Sequence, residues 1–138
     1  MSLHHLLMIN HLLLQKKFFA KIKECGLTAG QPKVLEYLAS HDGSIQKEIA
    51  SACMIEPATL TSVLSGMEHA GLVTKKVNPS NKRNTNVYLT EKGKQKWHEI
   101  ESVFQELDVH ALDGFSQDEI EYIIQFLNKI YENLKGCI

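Results

Sequence analysis

Apolar residues recur along this 138-residue chain mostly at helical spacing, with one interruption where the period becomes that of a strand. From Leu3 to Ile22 the pattern is helical but apolar nearly all round: Leu6, Leu7, Ile9, Leu12, Leu13, Leu14, Phe18 and Phe19 leave little polar face. A helix of that kind has to be covered on more than one side. A short helix is predicted over Gln46 to Cys53, with Ile49 and Cys53 inward and Ala50 small enough for a second helix to cross nearby. That second helix runs from Pro57 to Ala70, where Leu60, Val63, Leu64 and Met67 recur at i, i+3, i+4 and i+7 and share one face. Pro57 suits the first helical position, where the missing N–H would have no partner anyway, and Gly71 supplies a left-handed cap. Further on, Trp97, Ile100, Phe104 and Leu107 give a long helix its inner face. Ser116 and Glu119 then form a capping-box pair, and Ile120, Ile123, Ile124, Leu127, Ile130, Tyr131 and Leu134 make one stripe before Gly136.

The interruption lies between the third and fourth of these patterns, after Ala70 and before Trp97. Leu72, Val73 and Val77 on one side, and Val87, Tyr88 and Leu89 on the other, bracket the polar run from Asn78 to Asn84. This is a hairpin signal, with a loop too long for a two-residue turn. Its charges, Lys75, Lys76, Lys82 and Arg83, include no acid from Leu72 to Thr90. Two crossing helices followed by a cationic hairpin read as a winged helix-turn-helix. The solvent face of the second helix fits that reading: Ala58, Thr61, Ser62, Ser65 and His69 are short or neutral enough to enter a major groove. Without the hairpin, the same pattern would equally describe a plain helical hairpin in a protein-interaction module. The basic hairpin could itself be an edge kept soluble by lysines.

Charge sharpens the division of labour. The net charge is −1, which argues against a general nucleic-acid coat protein, but the charges are segregated. Residues 1–72 carry six basic and six acidic groups, residues 73–98 seven and one, and residues 99–138 two and nine. The acidic end belongs away from phosphates and fits a subunit contact. The N-terminal apolar run is broken by His4, His5, Asn10 and His11 and falls short of the ~20 residues that span a bilayer. It lacks the basic start and cleavage site of a secretory signal. The cytoplasm is therefore the expected location, and Cys25, Cys53 and Cys137, without a C-x-x-C pair, fit a reducing compartment.

Taken together, Leu27-Thr28 with Gln31 and Val34-Leu35, Gly43, Glu48-Ile49-Ala50, Thr59 and Thr61, Leu64, Met67-Glu68, Gly71-Leu72-Val73, Arg83 and the run Leu89-Thr90-Glu91-Lys92-Gly93 resemble the multiple-antibiotic-resistance regulator (MarR) family of dimeric transcription factors. The motifs cover roughly the middle half of the chain. The resemblance implies a mainly α fold with a small β-hairpin wing, one domain over residues 1–138. Residues 28–93 would form the winged lobe, and residues 1–25 and 94–138 the helical dimerisation region. It implies a homodimeric, ligand-responsive repressor on a pseudo-palindromic operator in double-stranded DNA. The implied DNA-binding set is Ala58, Thr59, Thr61, Ser62 and Ser65 on the helix, with Lys75, Lys76, Lys82 and Arg83 on the wing.

One departure concerns the wing. The family usually carries an Asp two residues before the wing Arg, where this chain has Asn81, so a charged hydrogen bond to the guanidinium is replaced at best by a neutral one. Pro57 to Ala70 also contains no Lys or Arg, which removes the Arg-to-guanine contact and leaves sequence to be read through hydroxyls, methyls or DNA shape.

The remaining chemistry is sparse. Relatives that sense zinc suggest Glu24, Cys25, His41 and His98 as candidate ligands for a metal-responsive variant, although their spacing does not require it. Oxidant-sensing relatives use a cysteine early in the first helix, a role that does not transfer to Cys25 at its end. Cys53 reads as a core filler and Cys137 as a tail thiol. No nucleophile elbow, phosphate-cradling glycine loop or paired carboxylate is present, so neither catalysis nor a cofactor is expected. An effector pocket is expected between the terminal helices and the winged lobe, with Phe18, Phe19, Tyr37 or Trp97 as its apolar candidates.

Overall fold

The computed structural model describes residues 1–137. Its elements are α1 (Leu3–Lys21), a 3-10 turn (Lys23–Cys25), α2 (Gln31–Ser40), β1 (Ser44–Ile45), α3 (Gln46–Cys53), α4 (Pro57–His69), β2 (Val73–Asn78), β3 (Asn81–Leu89), α5 (Glu91–Ala111) and α6 (Gln117–Lys135). The chain is mainly helical, with one antiparallel sheet in the order β1-β3-β2. It packs as two units, Met1–Gln105 and Glu106–Ile138.

The first unit holds the core. Val34, Leu35 and Leu38 of α2, Ile49 of α3, Leu60, Leu64 and Met67 of α4, Val73 and Val87 of the sheet and Ile100 of α5 are all removed from solvent. Burial of each large side chain stabilises the fold by about 1.5–3 kcal/mol before the entropy of ordering is set against it. The predicted inward set of α3 is observed, with Ile49, Ala50 and Cys53 buried, and the Glu48 carboxylate accepts from the Ile45 N–H to start that helix.

Between α3 and α4 the chain turns through Met54, whose φ of +55° is left-handed backbone on a residue with a Cβ. The turn closes with the Ile55 N–H donating to the Ala50 carbonyl. Pro57 opens α4 as expected. Gly71, at φ +77°, closes it while Leu72 N–H donates to the Met67 carbonyl across the end. That cap turns the chain directly into β2.

The sheet differs from the sequence reading in two ways. β1 has only two residues, too few to leave a periodic trace; it pairs Ser44 with Val87 and Ile45 with Asn86. The hairpin, expected to carry a long loop, is closed by Pro79 and Ser80 alone, because Asn78 pairs with Asn81. The surplus residues Lys82, Arg83 and Asn84 form a bulge in β3, since the next ladder pair is Val77 with Thr85. Two short Asx bonds make this affordable to the backbone: Ser80 N–H donates to Asn78 Oδ1 and Arg83 N–H to Asn81 Oδ1. The polar run therefore reads as loop in sequence but is strand and bulge in space.

In the second unit α6 begins with the predicted capping box. Glu119 N–H donates to Ser116 Oγ at 3.2 Å, and Ser116 N–H donates to Glu119 Oε1 at 2.9 Å. Along α6, Tyr122, Ile124, Phe126, Leu127, Tyr131 and Leu134 are exposed. Along α1 in the first unit, Leu3, Leu6, Met8, Ile9, Leu12, Leu13 and Leu14 are exposed as well. Among the described residues, no helix is long and apolar enough to cross a membrane.

Candidate nucleic-acid interface

α4 presents its polar side as the spacing predicts. Ala58, Ser62, Ser65 and His69 stand at i, i+4, i+7 and i+11 along the line opposite buried Leu60, Leu64 and Met67, and all four are exposed. Thr61 and Thr59, also exposed, lie on the two flanks of that line. The Thr61 hydroxyl donates back to the Pro57 carbonyl at 3.0 Å. Its proton is thus committed, and what it offers outward is a methyl group and oxygen lone pairs.

The wing cations divide into unlike pairs. Lys75 and Lys76 are adjacent in β2 and so face opposite sides of the sheet. Lys75 turns to α4, where its Nζ lies 3.8 Å from Glu68 Oε1. Lys76 lies over the Tyr88 ring, 5.1 Å from its centroid. Lys82 and Arg83 sit in the bulge, exposed, and neither side chain has a partner among the described residues. Asn81 accepts from the Arg83 backbone N–H, so its amide shapes the bulge instead of holding the guanidinium.

The basic balance of residues 73–98 is similarly divided. Lys92 Nζ donates to the Ala70 carbonyl at 2.8 Å, Lys94 pairs with Glu91 and Lys96 with Glu99. Those three lysines belong to the start of α5 and serve structure there. Free cationic character is concentrated at Lys82 and Arg83.

Asp42 and Asn86, which sequence reasoning did not single out, hold the wing in place together with residues that it did. Asp42 Oδ1 accepts from the Leu89 N–H at 2.8 Å, taking the place of a ladder partner that the two-residue β1 cannot supply. Asn86 Nδ2 donates to the Gly43 carbonyl at 2.7 Å. Gly43 has φ +80°, and a Cβ there would press on the Tyr88 ring. At the other end of β3, Thr90 Oγ1 donates to the Gly71 carbonyl at 2.6 Å and accepts from Gly93 N–H at 3.0 Å, joining the end of α4 to the start of α5. Of these, Gly43, Gly71, Tyr88 and the Leu89–Gly93 run carried a signal in the sequence; Asp42 and Asn86 carried none, and their partners are more than forty residues away.

The suggested metal ligands do not converge. Cys25 Sγ meets Glu99 at 3.8 Å, His41 stacks on Tyr37 and His98 lies 3.6 Å from Glu101. Among the described residues no three His, Cys, Asp or Glu side chains gather as a metal site. Cys53 is buried, and desolvation pushes its thiol pKa up, opposed by Lys33 and aided by Glu36. A cavity of about 350 Å³ opens between α1 and α2, lined by Phe18, Phe19, Leu14, Pro32, Lys33 and Phe104 among others. Phe18 stacks on Phe104 at 4.1 Å. Of the four aromatic residues named from sequence, Phe18 and Phe19 line this cavity; Tyr37 and Trp97 do not.

Residues 27–85 match the model of the MarR family. The chain is 26% identical, over 115 residues, to the uncharacterised HTH-type transcriptional regulator YybA of Bacillus subtilis, a match covering 83% of this chain and 77% of that protein. It superimposes on a MarR family transcriptional regulator from Listeria monocytogenes solved with a 26mer DNA, with a TM-score of 0.92 and 28% identity over 97% of this chain and 89% of that one. The transcriptional regulator SlyA is similar at a TM-score of 0.85 and 29% identity, over 96% and 92% of the two chains.

Proposed function

We propose that this chain is a MarR family winged-helix transcriptional regulator, which acts as a homodimeric repressor on a pseudo-palindromic operator and is released by a small ligand. The observation that carries this reading is the pairing of an uncharged, exposed α4 face with two cations in the neighbouring bulge whose side chains meet no partner among the described residues. Such a surface separates the two tasks of DNA recognition. Ala58, Thr59, Thr61, Ser62 and Ser65 would approach base edges, where short side chains admit the helix deeply. Lys82 and Arg83 would reach phosphates and the minor groove, with Lys75 and Lys76 adding positive potential from opposite sides of the sheet.

The exposed apolar rows on α1 and on α6 support the dimer, because a soluble monomer rarely leaves so much contiguous apolar surface uncovered. The terminal segments 1–25 and 94–138 are the dimerisation region of this reading, residues 28–93 its DNA-binding lobe, and the cytoplasm its compartment. The Phe18–Phe104 cavity is where an apolar effector would enter, between α1 and α2. Occupation there would act by favouring one spacing of the two recognition helices over another.

Selection of bound sequences from a random duplex library tests the reading in one step. The expected product is a two-fold symmetric consensus with half-sites about one helical turn, ~10 bp, apart. Recovery of no enriched sequence, at low as well as physiological salt, would refute it.

A further inference from the structure

Glu56 is the residue from which α4 sets out, and the fold leaves its carboxylate unused. Pro57 excludes helical backbone at the residue before it, and Glu56 is accordingly extended, at φ −56° and ψ 139°. Residues that cap a helix from this position are short, because Ser, Thr, Asp and Asn fold back onto the N–H groups of the first turn. Glu56 makes no such bond. Its side chain is exposed, and no cation meets it among the described residues. It borders an open groove of about 840 Å³ between α3 and α4, together with Pro57 and Thr61 of α4 and Lys47 of α3. Glu56 therefore stands on the same flank of the helix as Thr61, one of the side chains assigned above to base edges.

An acid at the leading end of a helix bound for a major groove is repelled by every phosphate it passes, so only base edges remain for it. A carboxylate accepts hydrogen bonds and donates none. Guanine offers it two acceptors, thymine an acceptor and a methyl group, and adenine a donor flanked by an acceptor. Cytosine alone presents a donor, its N4 amino group, with no acceptor beside it. The positive end of the α4 dipole favours a carboxylate at this place. Pro57 to Ala70 contain no Lys or Arg that would take the guanine of the same base pair. Lys47, exposed across the groove and without a partner among the described residues, supplies positive potential towards the flanking phosphates. We propose that Glu56 is a specificity-determining residue whose carboxylate accepts from the N4 amino group of one cytosine in each half-site. This rests on the function proposed above and extends it: the neutral face of α4 permits close approach, and Glu56 supplies a choice of base.

The test is selection of bound sequences from a random duplex library by the wild-type chain, Glu56→Gln and Glu56→Ala, followed by affinity measurements on single duplexes. Neither substitution removes a cap bond, so all three proteins should melt alike. The wild-type consensus is expected to hold cytosine at one position, repeated by the two-fold symmetry. Glu56→Gln should move the preference there from cytosine to adenine, whose N6 and N7 suit an amide. Glu56→Ala should accept any base there and keep the rest of the consensus. Replacing that cytosine by thymine should weaken wild-type binding about tenfold and Glu56→Ala binding by less than about twofold.

A symmetric consensus that is the same in all three proteins overturns the role of Glu56 and leaves the proposed function standing. A Glu56-dependent position that selects any base other than cytosine overturns that role as well. No enriched sequence with any of the three proteins refutes the function proposed above, and this inference with it.

Discussion

Gly93 carries a constraint that its sequence context barely advertises. A Cβ at this position would overlap the Leu72 carbonyl oxygen, which itself accepts from Thr90 N–H where β2 begins. Gly93→Ala is therefore expected to destabilise the fold by about 1–3 kcal/mol, read as a lower urea midpoint. Gly71→Ala, at positive φ and with Lys92 Cδ at an ordinary contact distance of 3.8 Å from the added Cβ, should act mainly through backbone strain and by about 1 kcal/mol. On the wing, Arg83→Ala and Lys82→Ala should each weaken binding to all duplexes alike and reduce the salt slope by about one. Ser62→Ala should instead change which sequences are preferred. The opposite pattern would show that the two surfaces have been exchanged. Cys53 adds a pH effect of definite sign. The folded state holds the thiol proton more tightly than the unfolded chain, so stability is unaffected at neutral pH. It falls as pH rises above about 9.0, where the unfolded chain deprotonates first. Thermal melts of the wild type and Cys53→Ala across that range would show the slope shrinking in the variant.

At the scale of elements, the wing is anchored at its base and free at its bulge. Asp42→Ala removes the only acceptor shown for the Leu89 N–H and should cost about 1–3 kcal/mol, whereas Asp42→Asn, which retains an acceptor, should cost less. Hydrogen exchange at Leu89 provides the direct readout, with faster exchange expected in Asp42→Ala than in Asp42→Asn. The helices were legible because their cause is local. The α4 stripe, Pro57 at its start and Gly71 at its end are set by neighbours three or four residues apart, and α3 and α6 behave alike. The hairpin was legible as a hairpin but not in its turn. Seven polar residues looked like loop, and only pairing of Asn78 with Asn81 shows that two of them suffice to turn the chain. β1 left no trace, because two residues cannot display a period of two.

At the scale of the molecule, α1 and α6 each carry more apolar surface than their own unit conceals. Sedimentation is expected to show a dimer. Leu127→Glu in α6 should shift it towards monomer and lower operator affinity by more than about tenfold, because each lobe would then bind without the linked second half-site. A monomeric wild type with full operator affinity would overturn the proposed assembly. The segregation of charge that suggested a basic wing proves to be partly architectural, since Lys92, Lys94 and Lys96 secure helix ends and surface pairs.

The sequence by itself determined helices α1, α3, α4, α5 and α6 in their order, the hairpin between α4 and α5, the neutral outer face of α4 and the resemblance to a regulator family. All of these follow from side-chain spacing within a few turns of chain or from the order of short motifs. Only the tertiary structure decided that Lys75 turns to Glu68 while Arg83 stays free, and that Asp42 and Asn86 hold β3. Those outcomes depend on groups between seven and forty-seven residues apart meeting across different elements, and a hydrogen bond or ion pair between such groups has no period for a linear pattern to reveal.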